Sequence, residues 1–261
     1  MRILFYYLIY LIRARHRKGH GIHSPFVFEF ISTVLYGDDT HDFTAIDNRR
    51  KELLRDRRKI MVEDYGEGSR TGIGEEREVR HIAKSTTVKP KYGRLLTRLV
   101  SWYKPYSIIE LGTGPGISSA YLATGYPECC LYTIEGSKDI NEIARQTMNT
   151  VNQVNVELIH GLFIDKLFPL LKEFENKKDL LVFIDGDHHG ERLVEYTEMV
   201  LSGSIENLAI ILDDIYWSSS MTAAWETLIH RSEIAVSIDL FQFGILFVKK
   251  GIPKQHYIVR F

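Results

Sequence analysis

The sequence has almost no cysteine, almost no net charge and no apolar run long enough to cross a bilayer, and each shortage removes a class of function. Its two cysteines, Cys129 and Cys130, are neighbours. Adjacent residues cannot close an ordinary disulfide without severe strain, and two thiols do not make a zinc site. They read as small packing residues in a reducing, cytoplasmic compartment, which excludes a disulfide scaffold or a zinc module. The formal net charge is −1 over 261 residues, so no overall field draws the chain to nucleic acid. Charge is uneven, however. Arg13, Arg15, Arg17 and Lys18 make one basic run, and Arg49, Arg50, Lys51, Arg55, Arg57, Arg58 and Lys59 make another. Both read first as solvated helix faces, with an anionic partner as the alternative. The apolar stretch from Met1 to Ile12, interrupted by Arg2, falls short of the about 20 residues that span a bilayer. It is followed by no small-residue cleavage site, which disfavours a signal peptide. We read it as a helix packed on the domain or on a partner. The alternative is an interfacial anchor, giving a peripheral membrane contact through residues 1–18.

There are no internal repeats and no low-complexity tracts. Ser24 and Pro25 read as the N-cap and first residue of a helix. Residues 26–62 read as helical, with a break at 37–41. The Gly-rich polar stretch 65–74 reads as a linker, or else as a lid. After Lys91 the pattern changes. Helical spacing over 92–102, ended by Pro105, leads into five short apolar strands at 107–111, 131–135, 156–160, 180–185 and 208–213. Helices are expected between them at 117–123, 139–149, 163–174 and 191–201, and after the last at 221–230. Strands alternating with helices, most of them continuously apolar, imply an α/β fold with a mostly parallel, Rossmann-like sheet and helices on both faces. Two final strands, 234–240 and 243–249, are close enough for an antiparallel pair at a sheet edge. Residues 1–84 would then be an N-terminal helical extension, and 85–261 the main domain.

The chemistry concentrates at strand ends. Glu110, Gly112, Thr113, Gly114, Pro115 and Gly116 follow the first of the five strands and open a helix. Glycines there let the backbone turn sharply and approach a ligand, and the helix N-terminus offers N–H donors. The spacing is not that of the dinucleotide fingerprint, and Pro115 sits where that motif needs freedom. Glu110, directly before the turn, suits a cationic amino acid rather than a pyrophosphate. Glu135 ends the next strand, where an acidic residue can hold both hydroxyls of an adenosine ribose. Asp185 ends the fourth strand, and Asp213 and Asp214 end the fifth. Three converging carboxylates repel unless a cation compensates, and oxygen ligands suit magnesium or another hard divalent ion. The alternative is that Asp213 closes its strand and Asp214 caps the following helix. His188 lies in the Gly186–Gly190 turn, and histidine can act as a general base near neutral pH; a metal ligand or a surface turn residue are the other readings. Asp187 is a further carboxylate there. Tyr216 and Trp217 could wall a substrate pocket or pack in the core.

Taken in order, IIELGTGPGISSAYLA, YTIEGS, LVFIDGDH and IILDDIYW resemble the class I S-adenosylmethionine-dependent methyltransferases. Within them the sequence is most similar to the O-methyltransferase branch that includes catechol and caffeoyl-CoA O-methyltransferases. The resemblance covers roughly residues 85–250, and the antiparallel finish fits it better than it fits a dinucleotide dehydrogenase. It implies that Glu110, Gly112, Thr113, Gly114, Gly116 and Ser118 line the methionine end of the cofactor and that Glu135 holds the ribose. Gly161 and Asp185 would complete the cofactor site, although the stretch 160–163 lacks the polar residue that often contacts adenine. Asp185, Asp213 and Asp214 match the metal positions, with Asp-Asp in place of the family's Asp-Asn. His188 matches the position of a catalytic lysine, so His188 and Asp185 are the catalytic candidates. The implied activity is O-methylation of a small-molecule hydroxyl, metal-assisted by magnesium or another divalent cation, in a chain that can form a homodimer. The alternatives are an RNA-modifying enzyme that tracks phosphates with its basic N-terminal region, and a non-catalytic cofactor-binding module.

Overall fold

The computed structural model describes residues 2–15, 19–63, 74–203 and 205–261. The Gly-rich stretch read as a linker or lid lies, except for Gly74, outside the described residues. Contacts gather the chain into two compact units, Asp38–Lys166 and the combination of Met1–Gly37 with Leu167–Phe261.

The chain begins with helix α1, Arg2–Arg13, as its apolar pattern predicts. Tyr10 is buried, and its hydroxyl donates to the Val259 carbonyl at 2.6 Å. Tyr7 meets the edge of the Phe241 ring at 4.9 Å, and Tyr6 stacks on Tyr216 at 5.4 Å. Helix α2, Pro25–Glu29, starts with proline at its first turn and Ser24 as N-cap, in agreement with the sequence reading. It continues into a π-helical segment, Phe30–Leu35.

The unit Asp38–Lys166 opens with α3, Thr44–Leu53. The expected helix does not run on to residue 62. Asp56 Oδ1 accepts the Arg58 N–H at 2.9 Å, a local turn that ends the helical run. Strand β1, Lys59–Val62, then pairs antiparallel with β2, Glu75–Glu78. Lys59 and Glu76 form an ion pair across that ribbon at 2.7 Å. Helix α4, Val79–Thr86, and helix α5, Pro90–Tyr103, follow. Beyond them come β3 (Ser107–Leu111), α6 (Ile117–Gly125), β4 (Cys130–Glu135), α7 (Lys138–Val151) and β5 (Val156–His160). Both β3–β4 and β4–β5 pair in parallel. β3 is buried along its whole length, which explains why it reads as an unbroken apolar run around Glu110.

Helix α8, Phe163–Glu173, precedes the second stretch of strands. These are β6 (Leu180–Ile184), β7 (Leu208–Asp213), β8 (Val236–Asp239), β9 (Phe243–Val248) and β10 (Gln255–Ile258). Helix α9, Gly190–Ser202, joins β6 to β7, and α10, Ser219–Ile229, joins β7 to β8. β6 and β7 are parallel, whereas β9 is antiparallel to both β7 and β8. The fold is thus a Rossmann-like, mostly parallel α/β arrangement with the antiparallel finish that the sequence predicts. The finish departs in one respect. β10 pairs in parallel with β8 on its outer side, so the β8–β9 pair is not the edge. That strand is four residues long and only partly buried, too short to leave a periodic signal.

Candidate functional site

In the unit Asp38–Lys166, the ends of β3, β4 and β5 are knitted together by backbone and side-chain bonds. Gly112 N–H donates to the Ile134 carbonyl at 3.0 Å, and Gly161 N–H to the Glu135 carbonyl at 3.0 Å. The turn after β3 runs through Gly112, Gly114 and Gly116, all at positive φ. Gly114, at φ 51, leaves ordinary van der Waals room toward Thr86 of α4, so its backbone angle is the constraint. Gly116, at φ 85, is constrained twice, because a Cβ there would meet Met148 Cε at 2.9 Å and Ala144 Cα at 3.2 Å on α7. It is also the N-cap residue of α6, and no side chain caps that helix.

Glu135 closes this turn. Its Oε2 accepts the Gly114 N–H at 3.0 Å and its Oε1 accepts the Ser137 N–H at 2.9 Å. Desolvation lifts its carboxyl above the ordinary range, opposed by these backbone donors. A carboxylate offers about four lone-pair positions, so capacity remains for ligand hydroxyls.

Glu110 lies deeper and is fully buried. Ser119 Oγ and Thr133 Oγ1 (2.6 Å) donate to its Oε2. Thr113 and Thr133 hydroxyls meet at 2.6 Å, and since Thr133 gives its proton to Glu110, Thr113 donates to Thr133. The other Glu110 oxygen, Oε1, is buried without a hydrogen-bond partner. Desolvation pushes the carboxyl up to about 7, while the Ser118, Ser119 and Thr133 hydroxyls pull it down and Glu135 pushes it up. The sequence reading of Glu110 as an acceptor for a cationic amino acid includes Thr113 as a neighbour but not the Thr133 and Ser119 hydroxyls that hold the carboxyl. Their signal was present as polar residues inside otherwise apolar stretches.

In the other unit, Asp185 follows β6 and Asp213 ends β7. Ile184 pairs with Leu212, so the two aspartates leave parallel strands at the same level. Gln242 Nε2 bridges the acidic pair, donating to Asp213 Oδ1 at 2.6 Å and Asp214 Oδ1 at 2.7 Å. The Asp214 N–H also donates to Asp213 Oδ1 at 2.8 Å. Among the described residues, no three His, Cys, Asp or Glu side chains gather as a metal-ligand set. Of the expected trio Asp185, Asp213 and Asp214, the last two share the Gln242 amide as a hydrogen-bond donor. The alternative reading of Asp214 as a helix cap is corrected. Ser218 caps α10, its Oγ accepting the Met221 N–H at 3.1 Å.

His188 is partly buried, with its ring 6.3 Å from that of Trp217. Asp187 has a structural task. At φ 52 it turns the backbone, and its Oδ2 takes Arg192 Nη1 at 2.7 Å and the Tyr196 hydroxyl at 3.1 Å. Tyr216 stacks on Phe241 at 5.2 Å and donates its hydroxyl to the buried Asp239 at 2.5 Å, whereas Trp217 is 54% exposed.

Residues 109–215 match the family model described as a methyltransferase domain, a span that includes both the Glu110 turn and the Asp213–Asp214 pair. The protein-L-isoaspartate O-methyltransferase of Shewanella woodyi is 33% identical over 76 residues, 29% of this chain and 35% of that protein. The chain thus matches about a third of the length of such curated relatives. Among solved structures, the Bacillus cereus O-methyltransferase in complex with SAH is 19% identical, with a TM-score of 0.59 over 86% of this chain and 97% of that one. SAH-bound methyltransferase PaMTH1 of Podospora anserina is 13% identical, with a TM-score of 0.61 over 87% and 97%. The O-methyltransferase TomG of Streptomyces achromogenes, in complex with SAM, is 22% identical, with a TM-score of 0.54 over 64% and 82%. Residues 109–215 thus match a methyltransferase domain, and the parallel strands with their antiparallel finish give the chain the fold of these solved methyltransferases.

Proposed function

We propose that the chain is an S-adenosylmethionine-dependent methyltransferase acting on an oxygen of a small-molecule acceptor. In this reading residues 85–261 form the methyltransferase domain and residues 1–84 an N-terminal extension. The observation that carries it is the strand-end cradle, in which Glu135 closes the Gly114 turn beside a buried Glu110 oxygen that lacks a partner. An orphaned carboxylate oxygen fits the ammonium of an amino-acid ligand, and the free lone pairs of Glu135 fit a ribose diol. Gly112, Thr113, Gly116, Ser118 and Gly161 would complete the walls, and by the sequence resemblance Asp185 is the further cofactor candidate.

When bound, the cofactor supplies an electrophilic methyl on a sulfonium sulfur. The residues of the chain then have two tasks, to orient the acceptor oxygen for in-line attack and to take its proton. His188 would take that proton at an imidazole nitrogen, with Asp185 orienting the acceptor. The Gln242 amide already bridges Asp213 and Asp214, so a divalent ion does not fit that donor set, and proton transfer rests on His188.

The basic run 49–59 favours the small-molecule reading over the RNA reading. Three of its cations are spent on internal ion pairs, Arg49 with Glu52, Arg58 with Asp56, and Lys59 with Glu76. The direct test is incubation with methyl-labelled S-adenosylmethionine and pools of phenols, catechols, carboxylic acids and RNA. Base-stable label on a hydroxyl compound, formed equally well in excess chelator, is the expected result. Label on RNA, or on no pool, would reject the proposal, and loss of label transfer in chelator would reject its metal-free form.

A further inference from the structure

We propose that α1 is an interfacial helix that seats the chain on an anionic lipid surface. One side of α1 is firmly held: Tyr10 is hydrogen-bonded to Val259, Tyr7 packs on Phe241 and Tyr6 stacks on Tyr216. What that packing leaves outside is apolar. Leu4 is 62% exposed, Phe5 61%, Leu8 51% and Ile12 80%. Leu4, Leu8 and Ile12 are spaced four apart, so they line one face of the helix. A water-facing helix surface normally carries polar residues, and α1 presents leucine, isoleucine and phenylalanine there instead.

Length and charge identify the occupant. Twelve residues at about 1.5 Å each reach roughly 18 Å, well short of the about 30 Å of hydrocarbon that a spanning helix must cross. No helix among the described residues is long and apolar enough to cross a membrane. A short apolar face with basic flanks suits the headgroup–acyl boundary, where it lies in the plane of the surface. Arg2, Arg13 and Arg15 are exposed at the two ends of α1. By sequence, Arg17 and Lys18 add to them, and the first acidic residue of the chain is Glu29. A stretch with only positive charge attracts anionic headgroups. The same charge opposes pairing of α1 with its counterpart in a second copy, which would bring like charges together. Because Tyr6 stacks on Tyr216, two residues beyond Asp214, a seated α1 would also hold the β7–α10 turn at the lipid surface.

The test is co-sedimentation of the full chain with vesicles of phosphatidylcholine alone and of phosphatidylcholine containing phosphatidylglycerol. The chain should bind the anionic vesicles at least tenfold more tightly, and salt should weaken that binding. The paired substitutions Leu8→Gln with Ile12→Gln, and separately Arg13→Ser with Arg15→Ser, should each reduce binding about tenfold without moving the thermal midpoint. Three results would overturn the proposal: no binding to anionic vesicles, binding indifferent to Leu8→Gln with Ile12→Gln, or a concentration-dependent dimer that this pair dissolves. Vesicle binding requires neither cofactor nor turnover, so this test and that of the methyltransferase reading fail independently.

Discussion

The Glu135 carboxylate accepts the backbone N–H of Gly114 at 3.0 Å, so the side chain that ends β4 fixes the glycine turn that follows β3. Its second oxygen holds the Ser137 N–H at 2.9 Å, tying the same carboxylate to the start of α7. The acid is thus part of the scaffold before any ligand arrives.

Replacing it should have a cost in the cofactor-free chain. Glu135→Ala orphans two backbone donors at once, and each hydrogen bond to a charged acceptor contributes about 1.5–3 kcal/mol. Water can reach this partly exposed position, so a net loss of about 2 kcal/mol is expected, measured by chemical denaturation. A variant as stable as wild type would mean that the turn holds itself.

Glu110 makes stability depend on pH in an unusual direction. Its carboxyl sits at about 7 in the folded chain against an ordinary 4.5, so between these values the folded state binds the proton and the unfolded state does not. Stability from this group is therefore full below about 4.5 and is lost as pH rises through about 7, a change on the order of 3 kcal/mol. Glu110→Gln should flatten the dependence of the thermal midpoint between pH 5 and 8, values chosen to bracket about 7. An unchanged slope would remove Glu110 as its source.

Two glycines of the same turn should respond differently to alanine. Gly114→Ala meets only the strain of a left-handed backbone, about 1 kcal/mol, and Gly114→Asn should recover part of it. Gly116→Ala adds the clash with Met148 and Ala144 to the same backbone strain, so it should cost about 2–4 kcal/mol. Equal losses at both positions, measured by denaturant unfolding, would contradict the packing of α7 against the start of α6.

Gln242 stands between two carboxylates, and its replacements test that role. Gln242→Ala should lower stability by about 1–3 kcal/mol by removing a shared donor. Gln242→Glu places a third carboxylate beside the pair and should be worse than alanine. Millimolar magnesium should then restore part of the loss in the glutamate variant and change nothing in wild type. Magnesium that stabilises wild type equally would show that the amide does not take the place of a cation.

The frame was legible in the sequence because its signals are local and redundant. Five apolar runs separated by helical spacing can form little other than parallel strands, and Ser24–Pro25 announces a helix start by its own chemistry. The ribbon of β1 and β2 was not legible, since Lys59–Val62 continues a basic helix without interruption and its partner lies beyond a Gly-rich stretch. At the site, Glu110 and Glu135 could be identified by their place at strand ends. Their partners could not, because Thr133 and Ser119 become relevant only when β4 and α6 pack around Glu110. Gln242 was invisible for the same reason: it lies 28 residues from Asp214 and meets it only through the antiparallel return of β9.

The measurement closest to the central claim is calorimetric titration of the full chain with S-adenosylhomocysteine, beside Glu135→Gln and the surface control Glu142→Gln. The account predicts saturable one-to-one binding to wild type and to the control, weakened at least tenfold in Glu135→Gln. No binding to the folded wild-type chain, or equal affinity in all three proteins, would contradict it.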